Sequence, residues 1–221
     1  EKKISGSNAA KQNLWTFFEK LNGLNSDAKL HVFHYGDSQI EGDRITGRIR
    51  SSWQKTWGGS GPGLIPAIQP VPALALRQQH EGEIQRFTRF GTIDSTLEHT
   101  CYGGMATLSR IRNNGKVIVK PHPMGFRKNQ VWHQAEVLIG AAPLGGRLTV
   151  SGEFTDSITI DIAPSSTGNH SSILVDLVGK KEEVIFSFDG YEIEITGIRL
   201  GSESGLAIHN IPMRSSSGTV F

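Results

Sequence analysis

The chain has 221 residues, 37% hydrophobic and 20% charged, with a formal net charge of +2. This is a globular composition, long enough for one large domain or two modest ones. Its scattered basic residues form no stripe interleaved with aromatics, which argues against nucleic acid as a partner, and no apolar run approaches the ~18 residues of a membrane span. The single cysteine, Cys101, excludes an internal disulfide and a cysteine-based metal site, and reads as a small buried hydrophobe. A first residue of Glu1 and the lack of a signal-peptide core point to a trimmed or processed product.

Taken in order, residues 8–24 form a first helix, with Leu14, Phe17, Phe18 and Leu21 as its apolar stripe and Gly23 near its end. Leu30-His31-Val32-Phe33-His34-Tyr35 then reads as a buried strand. It breaks at Gly36-Asp37-Ser38, and a helix follows on which Ile45, Ile49 and Trp53 recur every four residues while Arg44, Arg48 and Arg50 fall largely elsewhere. Four glycines in residues 58–63 make a loop without the Lys-Ser/Thr ending of a phosphate site, read as a flexible wall beside the Ser38 turn. Pro62, Pro66, Pro70 and Pro72 break regular structure and place a domain boundary after residue 72.

From residue 73 to 204 the pattern changes to short β-rich runs, at 83–90, 116–120, 130–139, 147–151, 157–162, 171–178, 182–188 and 192–200. Turn chemistry separates them, at Asn113-Asn114-Gly115, Gly145-Gly146, Val178-Gly179-Lys180-Lys181 and Asp189-Gly190. Such spacing predicts an antiparallel β-sandwich of jelly-roll type. Residues 205–221 return as a strand, Leu206-Ala207-Ile208-His209-Asn210-Ile211-Pro212, and a loop, Ser215-Ser216-Ser217-Gly218.

Ser38 is the candidate nucleophile. A hydroxyl on a tight strand-to-helix turn projects at the carboxyl edge of a sheet, and its own N–H at a helix start suits a developing oxyanion. The structural alternative is that Asp37 and Ser38 only cap the helix. A serine needs an oriented base. His34 precedes Ser38 by four residues and lies below the turn; His209, near the 215–218 loop, is the best internal substitute, with a hydrogen-bonded strand histidine as its plainer reading. His80, His99, His122, His133 and His170 show no ligand spacing, so no metal and no cofactor is expected. Glu41 and Asp43 in the first helical turn offset the helix dipole, and no carboxylate pair suggests a glycosidase. Tyr102, Trp132, Phe154 and Tyr191 can stack on sugars if exposed, Trp132 being read with one face buried.

Strand-Gly36-Asp37-Ser38-helix resembles the first sequence block of the SGNH (GDSL-type) esterase superfamily, with Gln39 where leucine is more usual. The longer run Gly-Asp-Ser-Gln-Ile-Glu-Gly-Asp-Arg, with Gly58-Gly59-Ser60-Gly61-Pro62-Gly63-Leu64-Ile65-Pro66, resembles a bacterial extracytoplasmic branch that deacetylates cell-wall or other polysaccharides and carries an inserted β-sandwich. The resemblance implies an α/β fold: a partial flavodoxin-like three-layer domain over 1–72 and 205–221, with the large antiparallel sandwich of 73–204 inserted. It implies that Gly218 supplies a second oxyanion N–H, with Ser215 where relatives usually have glycine, and that Asp37 supports the turn. It implies a periplasmic or secreted protein acting on acylated polysaccharide or peptidoglycan. The family's Asp-x-x-His and Gly-x-Asn-Asp blocks do not occur after Ser38, so the base is expected from a missing C-terminal half or a second chain, and this chain alone is expected to be inactive. The competing readings are a non-catalytic carbohydrate-binding or adhesion module and an acyltransferase using the same serine.

Overall fold

The computed structural model describes residues 5–24, 27–152, 156–177 and 183–215. The chain opens on helix α1 (Asn8–Asn22), whose N-cap Ser7 accepts the Ala10 N–H and whose end is closed by Gly23. Strand β1 (Lys29–Gly36) follows, then a 3-10 turn (Ser38–Ile40), helix α2 (Arg44–Trp57) and the short strand β2 (Gly63–Ile65). Eight strands come next: β3 (Leu76–Thr88), β4 (Thr107–Pro121), β5 (Gln134–Ile139), β6 (Gly146–Gly152), β7 (Ile158–Ile162), β8 (Ser171–Asp176), β9 (Val184–Asp189) and β10 (Ile193–Gly201). Strand β11 (Gly205–Pro212) returns to pair in parallel with β1, from Lys29↔Gly205 to Gly36↔Pro212.

The α/β, flavodoxin-like class expected from the sequence is not the fold. Among the described residues there are only two α-helices, and β2 to β10 form one nine-stranded antiparallel sheet. Parallel layers need repeated crossover helices; here a single parallel pair, β1 with β11, is bridged by a connection that contains the whole large sheet. That sheet curls so that its strands face one apolar core, including Ile111, Val137, Leu148, Phe186, Ile195 and Leu200. Strand β2, before the sequence boundary at 72, pairs with β10 in this sheet. Asn113-Asn114-Gly115 is no turn: β4 runs through it, bulged against β3 between Gly82 and Ile84. The Val178-Gly179-Lys180-Lys181 turn and Phe154 lie outside the described residues.

Helix α2 also departs from its expected orientation. Ile45 is exposed, whereas Thr46, Arg50 and Gln54, a polar stripe at i, i+4, i+8, is fully buried. The reason is the edge of β11. Arg50 Nε donates to the Ile208 carbonyl at 2.7 Å and Gln54 Nε2 to the Leu206 carbonyl at 3.0 Å. Side chains thus stand in for a neighbouring strand, so the stripe that sequence periodicity assigns to solvent is the one that must be inside. Ile49, Trp53 and Trp57 pack with Phe17 and Leu21 of α1 over Leu206 and Ile208.

The glycine loop between α2 and β2 is a packing seam rather than a flexible wall. Gly63 has φ +78, and a Cβ there would stand 2.7 Å from His209 Nδ1. Only glycine lets this backbone approach β11 so closely.

Candidate functional site

Ser38 sits two residues beyond the end of β1, exposed, as the first residue of the 3-10 turn. Asp37 caps that turn, its Oδ1 accepting the Gln39 N–H at 2.9 Å. The dipole of a full α-helix does not begin at Ser38, because α2 starts only at Arg44. The N–H of Ser38 is still one of the donors that a helical turn leaves without an internal acceptor. Met213 N–H donates to the Gly36 carbonyl at 2.8 Å, which carries the parallel pairing past β11 and brings the following segment beside the Ser38 turn. There Ser215 has φ +59, the left-handed region that its Cβ disfavours. Gly218 lies outside the described residues.

Glu41 and Asp43 do not act as first-turn counter-charges to α2. Glu41 is buried and bidentate with Arg214, at 2.9 and 2.7 Å, which ties the segment after β11 to the turn. Asp43 precedes α2 at φ +55 and makes no side-chain cap. It meets Arg50 in a bidentate pair, at 2.8 and 3.1 Å, with both side chains shielded from solvent. A left-handed non-glycine residue is held there by the ion pair.

The structure does not bring His209 to Ser38. His209 is the register partner of Phe33, three residues before the end of β1, or about 10 Å down the strand. It is buried, and its Nδ1 accepts the Leu64 N–H at 2.9 Å, which places its proton on Nε2, 2.9 Å from His31 Nδ1. Burial first, then the charges of His31, Arg199, Arg50 and Lys29, push His209 down to about 3. Burial, then Arg199 and Lys29, take His31 to about 4 against the opposing pull of Glu136. With both nitrogens engaged and protonation suppressed, His209 is a core histidine and has no path to the serine. His34 is tied below the turn: its Nδ1 donates to Thr46 Oγ1 at 2.8 Å, Thr46 donates to Asn210 Oδ1 at 2.6 Å, and Asn210 Nδ2 donates to the Ile40 carbonyl at 2.8 Å.

A cavity of about 50 Å³ adjoins the turn. Glu41, whose N–H donates to the Ser38 carbonyl, and Asn210, which holds the Ile40 carbonyl, both line it. The Asp43–Arg50 pair forms a polar wall, and Leu64 and Met105 an apolar one. Sequence reading missed this assembly, since Asn210 and Arg214 meet the turn from more than 160 residues away. Trp132 is buried, its Nε1 donating to the Asn129 carbonyl, and Tyr102 is buried with Phe87, Leu97 and Leu108; Tyr191 is exposed. Among the described residues no three His, Cys, Asp or Glu side chains gather as a metal site, and no helix is long and apolar enough to cross a membrane.

No protein-family model and no curated protein matches the sequence. Among solved structures the chain is similar to a peptidoglycan O-acetylesterase, with a TM-score of 0.61 and 20% identity over 92% of this chain and 53% of that one. The chain thus spans about half the length of that enzyme, and at 20% identity the likeness is one of fold. Weaker similarities reach an exo-β-1,3-galactanase from Phanerochaete chrysosporium (TM-score 0.42, 15% identity, 64% of this chain and 29% of that one) and a family two carbohydrate esterase from Cellvibrio japonicus (TM-score 0.30, 8% identity, 60% and 36%).

Proposed function

We propose that this chain is part of a serine esterase of SGNH type that removes O-acetyl or similar short acyl groups from a cell-wall or other polysaccharide. The observation that carries the reading is the exposed Ser38 hydroxyl on an Asp37-capped turn at the end of β1. Its fold context is shared with a peptidoglycan O-acetylesterase over 92% of the chain.

In this reading Ser38 Oγ attacks the ester carbonyl and gives its proton to a base. The carbonyl oxygen becomes an oxyanion held by the N–H groups of Ser38 and Gly218. Collapse of the tetrahedral intermediate breaks the bond to the sugar oxygen, which takes the proton and leaves as a hydroxyl; water then hydrolyses the acyl-serine. One preorganised oxyanion donor is worth about 2.7–4 kcal/mol of barrier. The Glu41–Arg214 bridge supports the reading by joining the segment that leads to Gly218 to the Ser38 turn. His209 is no longer a candidate base; in this reading the base comes from a further part of the same protein or from a second chain, and the acetylesterase is nearly twice as long as this chain. Such a substrate places the protein in the periplasm or outside the cell.

Acetate release from O-acetylated peptidoglycan and from acetylated xylan by the full gene product tests this. Release that Ser38→Ala lowers by orders of magnitude is the expected result. Release unchanged by Ser38→Ala, or none on any acylated glycan, overturns it.

A further inference from the structure

A second cavity, of about 480 Å³, is lined by β3, β4 and the proline-rich segment before them, and it shares Gln69 and Ala73 in its wall with the cavity beside the Ser38 turn. Its floor contains an arrangement that folding does not favour. Arg77 and Lys120 are register partners across the antiparallel pair, so two cations stand directly opposite each other. Like charges in that position destabilise a sheet. Glu183 pairs with Lys120 at 2.6 Å, whereas Arg77 has no ion pair among the described residues. Among the described residues that line the cavity none is acidic, Glu183 reaching only Lys120 at its rim, and His122, Gln79 and Gln69 add polar groups.

The outer wall is fixed. Gln78 points inward from β3, accepting the Gln69 N–H at 2.8 Å and donating to the Pro66 carbonyl at 2.8 Å. Leu74 N–H donates to the Gly42 carbonyl at 3.0 Å. The proline-rich segment is therefore a strap tied down at both ends, separating the small cavity from the larger one.

We infer that this groove binds a carboxylate-bearing stretch of a glycan chain, with Arg77 as the anion-recognising group, Lys120 beside it held by Glu183, and Ile118 as the apolar floor under a sugar ring. The inference rests on the esterase reading for its glycan, and it names that substrate as an acidic one. A planar guanidinium with no ion pair among the described residues suits a planar carboxylate better than a neutral sugar. The volume exceeds the ~300 Å³ lower bound of small-molecule sites, room for more than one ring. The carboxylate has two possible sources, a uronic acid or the lactyl ether of a muramyl residue.

Calorimetric titration of the Ser38→Ala chain separates binding from turnover. The probes are tetragalacturonate, its fully methyl-esterified form, a muramyl-containing glycan tetrasaccharide and chitotetraose. Expected is binding of one acidic probe at least tenfold tighter than its neutral counterpart, weakened by added salt; which acid binds identifies the source. Arg77→Ala should weaken that binding about tenfold and Arg77→Lys less. The melting temperature of Arg77→Ala should stay level, because Arg77 has no ion pair among the described residues to lose, an outcome a purely structural arginine would not give. Equal affinity for acidic and neutral probes, no binding of any probe, displacement by acetate or sulfate at the same concentration as the glycan, or binding unaffected by Arg77→Ala overturns the inference. Each of these leaves the Ser38 acetate-release result untouched, so the two readings fail separately.

Discussion

The large antiparallel sheet and the small layer of β1, β11, α1 and α2 are stabilised in different ways. The sheet buries a large apolar cluster, in which Phe186, Leu148, Ile111 and Ile195 are inaccessible to water, with Glu194 held by Arg110 and His99 beside it. The small layer buries Arg50, Asp43, Gln54, Thr46 and His209 alongside its few aliphatic residues. Apolar burial is non-directional and tolerant; a buried polar network is directional and fails when one member is lost. The region beside Ser38 is thus the one whose geometry is most tightly specified and most sensitive to charge.

Two substitutions break this contrast most strongly. Phe186→Ala should cost about 3–5 kcal/mol by leaving a cavity in the sheet core, read from denaturant unfolding. Arg50→Ala should cost a similar 3–5 kcal/mol, because Asp43 is left charged and unpaired inside. A double variant, Arg50→Met with Asp43→Asn, should recover part of that loss, whereas nothing short of refilling the volume recovers Phe186→Ala.

Acid should separate the regions next. His31 at about 4 and His209 at about 3 both lie below the ordinary histidine value of 6.5. The unfolded chain therefore takes up protons first as pH falls, so this contribution is complete above pH 6.5 and is lost as pH drops towards 4 and then 3. Each histidine held fully neutral costs up to about 1.4 kcal/mol per pH unit across that window, with partly exposed His31 giving less. Unfolding free energy measured from pH 7 to 4.5 should slope downward, and His209→Gln, which keeps an acceptor for the Leu64 N–H, should flatten the slope. The smallest effect belongs to Ser7→Ala, which removes the cap of α1 and should cost about 0.5–2 kcal/mol, again from denaturant unfolding.

What the sequence made legible follows the same division. Alternation of apolar residues located β5, β6, β7 and β9 to within a few residues, because half-buried strands carry a period of two, and the β-branched run between turn signals located β10, which is buried on both faces. Periodicity also located α1 and α2, and of its apolar stripe Ile49 and Trp53 do pack inward, but it left out the polar stripe of Thr46, Arg50 and Gln54 that is buried most deeply. The rule that apolar residues point inward does not anticipate a helix whose Arg50 and Gln54 satisfy the carbonyls of a strand more than 150 residues away. The same range hid Glu41–Arg214 and His31–His209, pairs that only the return of β11 brings together. The missed continuity of β4 has a local cause: Asn113-Asn114-Gly115 has turn chemistry, and pairing with β3 on one side and β9 on the other overrides it. The break of β1 into a turn at Gly36-Asp37-Ser38 was legible because that turn is local in sequence.

The most direct test of the central claim, that Ser38 is an activated nucleophile, is covalent labelling of the full gene product with a fluorophosphonate probe, with the modified peptide located by mass spectrometry. The account predicts stoichiometric modification at Ser38, abolished by Ser38→Ala and unaffected by His209→Gln. Modification at another residue, or none in a protein shown to be folded, would contradict it.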